Sequence, residues 1–383
     1  MKVFISVFGK FHAFDQAKEL NNRNCLHKIF TTFPKYQLRE YGIKDNQIIS
    51  FPIFEVFSRI RFLIPNLFLN SYLKYLSIIF DFICSLYINK DIDLFIGWSG
   101  FSEISLKKSK RLKITTMLER GSASIDFQRN ILKKEARKLD IPFNFSNYFL
   151  KKELMEYQLT DYINVPSKFS KKTFKKKLQK KIFVNRYGVD TNLFKNNFKN
   201  KNILKNKKKF VVIYVGGFTY QKGSHYLIKA MNELTTKYDI EFWHVGMIEK
   251  ELINIIKRYS NSKMKFFGQK PFKELPKYFS KASIFCIPSI HDGLALVIPQ
   301  ALSSGLPVLC TENSGGKEYI INNYNGFIIK PFSSREIYKK IKILYKDRNT
   351  FYIIKNNIKK FMIKDLSWKN YGFRIYNKIN KIV

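Results

Sequence analysis

Short apolar runs alternate with amphipathic helical stretches along the whole chain, and this alternation constrains the fold most. In the first half the strand candidates are Val3–Val7, His27–Thr31, Leu94–Gly97, Lys113–Leu118, Tyr162–Val165 and Ile182–Asn185. In the second half they are Phe210–Val215, Glu241–Val245, Lys265–Phe267, Ile284–Ile287, Val308–Cys310 and Gly326–Ile328. Continuous apolar runs separated by helices are typical of parallel sheets covered on both faces. The pattern predicts an α/β protein with two doubly wound domains of six strands each.

A polar, like-charged stretch at 195–209 separates the two halves and predicts a solvated linker. We place the boundary near Asn200, which divides the 383 residues into domains at 1–200 and 201–365, followed by a C-terminal helix at 366–383. Open α/β sheets bind ligands at the carboxyl ends of their strands. Two such sheets facing each other would enclose a deep cleft.

The chain is strongly basic, with 69 Lys and Arg against 29 Asp and Glu and a formal net charge of +40. Such an excess favours an anionic partner, namely nucleic acid, an acidic membrane surface or phosphorylated substrates. An AT-rich genome is the competing explanation of the charge. The sequence contains no zinc-finger spacing, RNP-like aromatic motif or basic heptad region, so we expect no nucleic-acid partner.

The remaining composition favours a cytoplasmic protein. Four cysteines lack metal-binding spacing and are expected to be reduced thiols, namely Cys25, Cys84, Cys286 and Cys310. No signal peptide is recognisable, and the apolar stretch Tyr75–Ile88 is too short to span a bilayer. Residues 57–74 mix aromatic and cationic side chains, a pattern typical either of attachment to the inner face of the cell membrane or of a helix pair in the first domain.

Two segments of the second half carry candidate ligand-binding residues. After Phe210–Val215 come Gly216, Gly217 and then Lys222, where a tight turn, a helix start and an ammonium suit a diphosphate. After Ile284–Ile287 the chain reads Asp292-Gly-Leu-Ala-Leu, and we expect Asp292 at the entrance of a helix. Gly293, Leu294 and Ala295 would then offer backbone N–H groups, and Gln300 would lie two turns on. The alternative is that Asp292 only caps the helix and that Gln300 is a partly buried residue without a ligand.

In the first half, candidates lie where strands end. Gly9 and His12 follow the first strand, and a plain hydrogen-bonding role is the alternative for His12. Glu119 and Arg120 end another strand and suit the hydroxyls or phosphate of a ligand, or merely cap the next helix. Trp98 is able to stack on a ligand ring or to pack in the core.

The order of the motifs resembles the retaining glycosyltransferases of family 4. The motifs are the Lys222-Gly223 turn, Pro-Ser-x-x-acid-Gly from Pro288, Ala-Leu-x-x-Gly-Leu-Pro-Val at 301–308, Gly315-Gly316-Lys-Glu318 and Asn325-Gly326. Upstream, Asp161–Ser167 and Arg186–Asp190 also fit, and downstream Trp368–Gly372 resembles that family's last helix. The resemblance implies the GT-B fold, in which two Rossmann-like domains face each other across a cleft. The N-terminal domain would bind the acceptor, the C-terminal domain would bind the nucleotide-sugar donor, and the last helix would cross back to the N-terminal domain.

The resemblance also implies roles for individual residues. Lys222 would bind the donor diphosphate, Asp292 would stand near the transferred sugar, and Gln300 would hold the ribose hydroxyls, while the backbone of residues 293–295 would meet sugar and phosphate. The chain departs from the family pattern at Gly217, where Arg is common, and at Gln300, where the family usually has an acid.

We therefore expect a retaining transferase that moves a sugar from a nucleotide-diphospho-sugar to a saccharide or lipid-linked acceptor in the synthesis of a cell-surface polysaccharide, without a metal ion. We assign Asp292, His12 and Lys222 to catalysis, and Gly9, Trp98, Glu119 and Arg120 to the acceptor side. The alternatives are a non-catalytic GT-B scaffold, a GT-B sugar-nucleotide epimerase and a basic nucleic-acid-binding protein.

Overall fold

The structure, a computed structural model, describes residues 1–60, 63–64, 66–194, 209–361 and 366–383. It contains two parallel sheets, each covered by helices. The first belongs to residues 3–184 and the second to residues 210–329. The predicted linker at 195–209 lies outside the described residues except for Lys209.

The first sheet has seven parallel strands in the order β3-β2-β1-β4-β5-β6-β7. They are β1 Val3–Val7, β2 Leu26–Thr31, β3 Ile48–Ser50, β4 Leu94–Trp98, β5 Thr115–Glu119, β6 Tyr162–Val165 and β7 Ile182–Val184. Alternate residues face opposite layers of helices, because Phe4 and Phe95 belong to one core cluster while Val3 and Ile5 belong to the other. The prediction of six strands was wrong by one: β3 is a three-residue edge strand, too short to show a pattern.

Eight helices accompany this sheet among the described residues. They are α1 Ala13–Asn21, α2 Lys35–Arg39, α3 Ile53–Ile60, α4 Asn66–Leu86, α5 Glu103–Arg111, α6 Ile125–Leu139, α7 Asn147–Leu159 and α8 Lys168–Thr173.

The second sheet has six parallel strands in the order β10-β9-β8-β11-β12-β13. They are β8 Phe210–Val215, β9 Ile240–Val245, β10 Met264–Phe266, β11 Ile284–Ile287, β12 Val308–Thr311 and β13 Gly326–Ile329, as the apolar runs predict to within a residue or two. Its helices are α9 Ser224–Lys237, α10 Ile253–Tyr259, α11 Leu275–Lys281, α12 Val297–Ser303, α13 Ser334–Lys346 and α14 Arg348–Phe361.

The last helix, α15 Trp368–Ile379, packs on α1 of the first sheet's layer. At Gly372 the backbone approaches α1 so closely that an added Cβ would lie 2.4 Å from the Cβ of Glu19. Arg374 Nε donates to Asn185 Oδ1 at 2.9 Å, just after β7. The C-terminal segment is thereby fixed to the first sheet's domain.

Each sheet has one point at which the strand order reverses. It lies between β1 and β4 in the first sheet and between β8 and β11 in the second. In an open α/β sheet the crevice for ligands forms at this point, outside the carboxyl ends of the strands.

The four cysteines are buried and unpaired, as expected for structural thiols. Among the described residues, we find no helix that combines the length and the apolar character needed to cross a bilayer.

Candidate active site

A cavity of about 360 Å³ lies between the domains at the two crevices. The first domain contributes residues that follow β1, β4, β5 and β7, and the second contributes residues that follow β8 and β11. The lining residues are Phe11, His12, Trp98, Ser99, Phe101, Glu119, Arg120, Gly121, Ser122, Tyr187, Lys222, Asp292, Leu294, Ala295 and Leu296. The sequence candidates from both halves therefore meet in one place.

On the second domain's side, Lys222 and Asp292 form an ion pair between Nζ and Oδ2. Both side chains are partly exposed to the cavity, at 27% and 14%. Lys222 is positioned by Gly223, the residue before α9, which has φ +65° and whose added Cβ would lie 2.1 Å from the carbonyl oxygen of Pro288. Only glycine fits both requirements, so the turn after β8 is held against the loop after β11.

The loop that carries Asp292 differs from the sequence expectation. The helix begins at Val297 rather than at Asp292, and Gln300 therefore lies in its first turn. The physical reason is that the N–H groups of Asp292 and Ala295 donate to the carbonyls of Asn313 and Ser314, which holds residues 292–295 beside the loop after β12. The N–H of Ala295 is thus engaged within the protein.

Gly293 joins this loop to the first domain. An added Cβ on Gly293 would lie 2.0 Å from the carbonyl oxygen of Gly121, so the two backbones are in direct contact. The hydroxyl of Ser167, just after β6, donates to the carbonyl of Gly293. The two domains therefore touch at the rim of the cavity.

On the first domain's side, His12 is held by a buried carboxylate. His12 Nε2 lies 3.3 Å from Glu119 Oε2, and Glu119 Oε1 accepts from the side-chain amides of Gln16 and Asn164, both at 2.8 Å. Glu119 is 2% exposed. Its oxygens are taken up by protein donors, so Glu119 lines the cavity but acts on it through His12.

Arg120 is likewise engaged within the first domain. Its guanidinium pairs with Glu153 Oε2 at 2.8 Å and donates to Gln128 Oε1 at 2.8 Å and to the carbonyl of Ala123 at 2.9 Å. Gly9, with φ +100°, donates its N–H to Thr32 Oγ1 at 3.0 Å. Arg120 therefore lines the cavity with its guanidinium held by the first domain, whereas Gly9 is not among the lining residues.

Tyr187 was not assigned a role from the sequence, although it lies in the Arg186–Asp190 motif. Its ring centroid is 4.4 Å from that of His12, and the ring centroid of Trp98 is 5.2 Å from that of His12. Burial raises the pKa of Tyr187 well above its ordinary value, and the nearby carboxylates of Glu119 and Asp292 add to this effect. Tyr187 is therefore a neutral aromatic wall that fixes the orientation of His12.

Five candidate residues lie beside this cavity rather than on its lining, namely Gly9 and Gly293, described above, and Gly216, Gly217 and Gln300. Gly216 and Gly217 follow β8, where the carbonyl of Gly217 accepts from the hydroxyl of Tyr214 and the carbonyl of Gly216 accepts from His244 Nε2 at 2.9 Å. Gln300 is 7% exposed, and within the described part of the chain its Oε1 has no hydrogen-bond partner. An unpaired buried acceptor is costly and points to an unfilled contact.

Comparison with known proteins agrees with this arrangement. Residues 195–361, less than half of the chain, match the family model described as Glycosyl transferases group 1. An uncharacterised glycosyltransferase of Methanocaldococcus jannaschii is 27% identical over 171 residues, covering 44% of this chain and 48% of that protein. A second one from the same organism is 26% identical over 370 residues, covering 90% and 87% of the two chains.

The capsular polysaccharide biosynthesis glycosyltransferase CapM of Staphylococcus aureus is 28% identical over 159 residues, covering 39% of this chain and 40% of CapM. The matched segments thus cover about half of the first archaeal relative and less than half of CapM.

Among solved structures, Anabaena HepE in complex with UDP-glucose superposes with a TM-score of 0.69 at 18% identity over the whole of both chains. The GT-B fold is confirmed, and the findings support a glycosyltransferase of that fold.

Proposed function

We propose that this protein is a retaining glycosyltransferase of family 4 that transfers a sugar from a nucleotide-diphospho-sugar to a saccharide or lipid-linked acceptor. The observation that carries the proposal is the meeting of Lys222 and Asp292 at the second domain's crevice, opposite His12 and Trp98 of the first. The name of CapM and the UDP-glucose bound to HepE support a nucleotide-sugar donor and a role in polysaccharide synthesis.

In the proposed mechanism the ion pair of Lys222 with Asp292 breaks when the donor binds. The ammonium of Lys222 turns from Asp292 to the diphosphate, where it stabilises the negative charge that develops as the sugar leaves. This lysine, rather than a metal ion, would supply the positive charge. Asp292 is released at the same moment, and its carboxylate can accept hydrogen bonds from the hydroxyls of the transferred sugar.

The nucleoside would extend from this point towards α12. The unpaired Oε1 of Gln300 is an acceptor for a ribose hydroxyl, which would satisfy a buried group that the protein leaves open. The amide at this position accepts such a bond without the charge of an acid.

The acceptor would enter from the first domain's side. The rings of Trp98 and Tyr187 both contact His12, and Glu119 fixes the imidazole through Nε2. We assign His12 to contact with the acceptor or the departing phosphate, Trp98 to stacking on a sugar ring, and Glu119 to positioning. Contact of the domains at Gly293 and Gly121 narrows access of water to the cavity.

The test is thermal stabilisation by a panel of UDP- and GDP-sugars, followed by transfer assays with the best of them. A ligand at 100 times its Kd stabilises the folded state by about 2.7 kcal/mol, which is readily measured as a rise in Tm. We expect one nucleotide class to stabilise the wild type and Lys222→Ala to raise the Kd for that nucleotide at least about tenfold, because a charge-assisted hydrogen bond is lost. Lys229→Ala, which removes a lysine on the outer side of α9, is the matched control and should bind normally.

The same assays separate the alternatives. A scaffold would bind no nucleotide sugar, and an epimerase would convert the sugar without an acceptor. A nucleic-acid-binding protein would retain oligonucleotides with a steep dependence on salt. Stabilisation that is unchanged in Lys222→Ala would contradict the proposed role of that residue.

A further inference from the structure

The outer surface of α3 and α4 is apolar, which is unusual for helices that cover a sheet. Eleven of the 24 exposed large apolar side chains in the described part of the chain lie between residues 53 and 87, about a tenth of its length. Surface helices of a globular domain normally turn charged or polar residues to the solvent. A concentration of this kind marks a surface that something else covers.

The exposed residues form one stripe on each helix. On α4 they are Phe68, Tyr75, Ile79, Phe82 and Leu86, with spacings of seven, four, three and four residues. These spacings place all five on one face of the helix. Phe68, Phe82 and Leu86 are 60%, 53% and 62% exposed.

On α3 the exposed residues are Ile53, Val56, Phe57 and Ile60, again with helical spacing. We call these four residues and the five on α4 the α3–α4 apolar face. The two helices are joined behind this face, because Phe54 of α3 packs edge-on against Phe80 of α4 at 5.7 Å.

The other side of α4 is fixed to the domain by buried polar contacts. Asp81 accepts the N–H groups of Ile104 and Ser105, in the first turn of α5, at 2.8 and 3.0 Å. Lys152 on α7 donates to the hydroxyl of Ser77 at 2.9 Å. A rotation that hid the stripe would break these contacts, so the apolar face is a built feature of the fold.

The charge on this surface selects among possible occupants. In the described parts of α3 and α4 the acids are Asp81, which is buried, and Glu55, which pairs with Arg59. Arg59 is 73% exposed, and Lys74 lies over the rings of Tyr75 and Tyr148. With a net charge of +40, two copies of this chain would repel each other across the face, whereas an anionic surface would attract it.

We propose that the α3–α4 apolar face docks the protein on an anionic lipid bilayer, with the apolar side chains inserted among the acyl chains and the cations at the headgroups. The face backs onto the cavity wall, since Phe80 packs against Phe101, which lines the cavity. Together with the proposed function, on which this consequence rests, the arrangement favours an acceptor that is itself lipid-linked.

The experiment is sedimentation with vesicles of phosphatidylcholine containing roughly 30 mol% phosphatidylglycerol. The variant Ile79→Ser/Phe82→Ser removes two apolar side chains from the face and leaves the charge unchanged. We expect its partition coefficient to fall at least about tenfold, because each inserted side chain contributes to the hydrophobic transfer. The matched control, Tyr352→Ser/Ile353→Ser on α14, removes two exposed apolar side chains from the other domain and should bind like the wild type.

A second measurement needs no variant. Hydrogen exchange of the wild-type protein with and without vesicles should show new protection in α3 and α4 and none in α14. Equal vesicle binding by the wild type and the α4 variant would overturn the proposal, because charge alone would then explain adsorption. A wild-type dimer that the α4 variant converts to a monomer would overturn it in favour of a second copy. Stabilisation by nucleotide sugars, measured on the same variants without vesicles, tests the proposed function separately.

Discussion

His291 has the least satisfied side chain of the residues next to the ion pair. It is fully buried, and neither ring nitrogen has a hydrogen-bond partner within the described residues. Burial lowers the pKa of His291 to about 4, a net result in which Asp292 acts in the opposite direction and the charges of Lys222 and Arg120 act in the same direction as burial. The ring is therefore neutral at physiological pH.

This environment predicts the effect of His291→Leu. An ordinary histidine titrates near 6.5, so the wild type loses stability as the pH falls from 6.5 to about 4, since the unfolded chain takes up the proton first. The loss amounts to about 3 kcal/mol, and we expect the leucine variant to lack it. At neutral pH the variant should be at least as stable, because no polar group is left unpaired.

Urea unfolding of both proteins across this pH range measures the difference. His27→Gln, which removes a half-buried histidine from β2, is the control and should keep most of the wild-type pH dependence. The same acid sensitivity in His291→Leu as in the wild type would show that other groups cause it.

At the residue level, the sequence indicated which residues are candidates for the site better than it indicated which of them contact each other. Lys222 and Asp292 were each recognisable from a local pattern of glycines, strand and charge. Their ion pair joins positions 70 residues apart and depends on β8 and β11 being neighbours in the sheet. The contact of the Tyr187 ring with His12 likewise needs the tertiary fold, so no local signal assigned it.

At the level of elements, the strands were predictable because fully buried strands are continuous apolar runs. The start of α12 was not, since the loop before it is held by carbonyls of Asn313 and Ser314. One signal was available: Pro299 lies in the first turn, where a missing N–H costs nothing, and this favours a start near Val297.

The packing of α15 on α1 gives an element-level prediction. Gly372→Ala places a methyl group 2.4 Å from the Cβ of Glu19, so the last helix must move away from α1. We expect a loss of stability of about 1–3 kcal/mol, as for overpacked cores, with faster hydrogen exchange in both helices. Asn377→Ala introduces alanine at an exposed position of the same helix and should cause neither change. Unchanged exchange in Gly372→Ala would contradict the close packing described for α15.

At the level of the whole molecule, a buried network joins the domains away from the cavity. Glu135 on α6 accepts from His225 Nε2 at 2.9 Å and from the hydroxyl of Tyr226 at 2.6 Å, both at the start of α9. Burial alone would raise the pKa of Glu135, but these two hydrogen bonds hold it below its ordinary value. The charged form of Glu135 therefore contributes to holding the domains together at neutral pH, and this contribution is lost as the pH falls below 4.5.

We expect Glu135→Ala to loosen the two domains, because it leaves the buried His225 and the partly buried Tyr226 without their acceptor, at a cost of about 1–3 kcal/mol. Small-angle scattering should show a larger radius of gyration than for the wild type. Glu233→Ala, which removes an exposed acid from α9, should leave the radius unchanged. If Glu135→Ala scatters like the wild type, the network does not hold the domains together.

We propose that the crevice between β8 and β11 binds the diphosphate of a nucleotide sugar through Lys222. The most direct measurement is a crystal structure with the best-stabilising sugar nucleotide. We expect a phosphate oxygen about 2.7–2.9 Å from Lys222 Nζ, the contact of Lys222 with Asp292 broken, and a ribose hydroxyl on Gln300 Oε1. A nucleotide bound elsewhere, with the ion pair of Lys222 and Asp292 intact, would contradict the account.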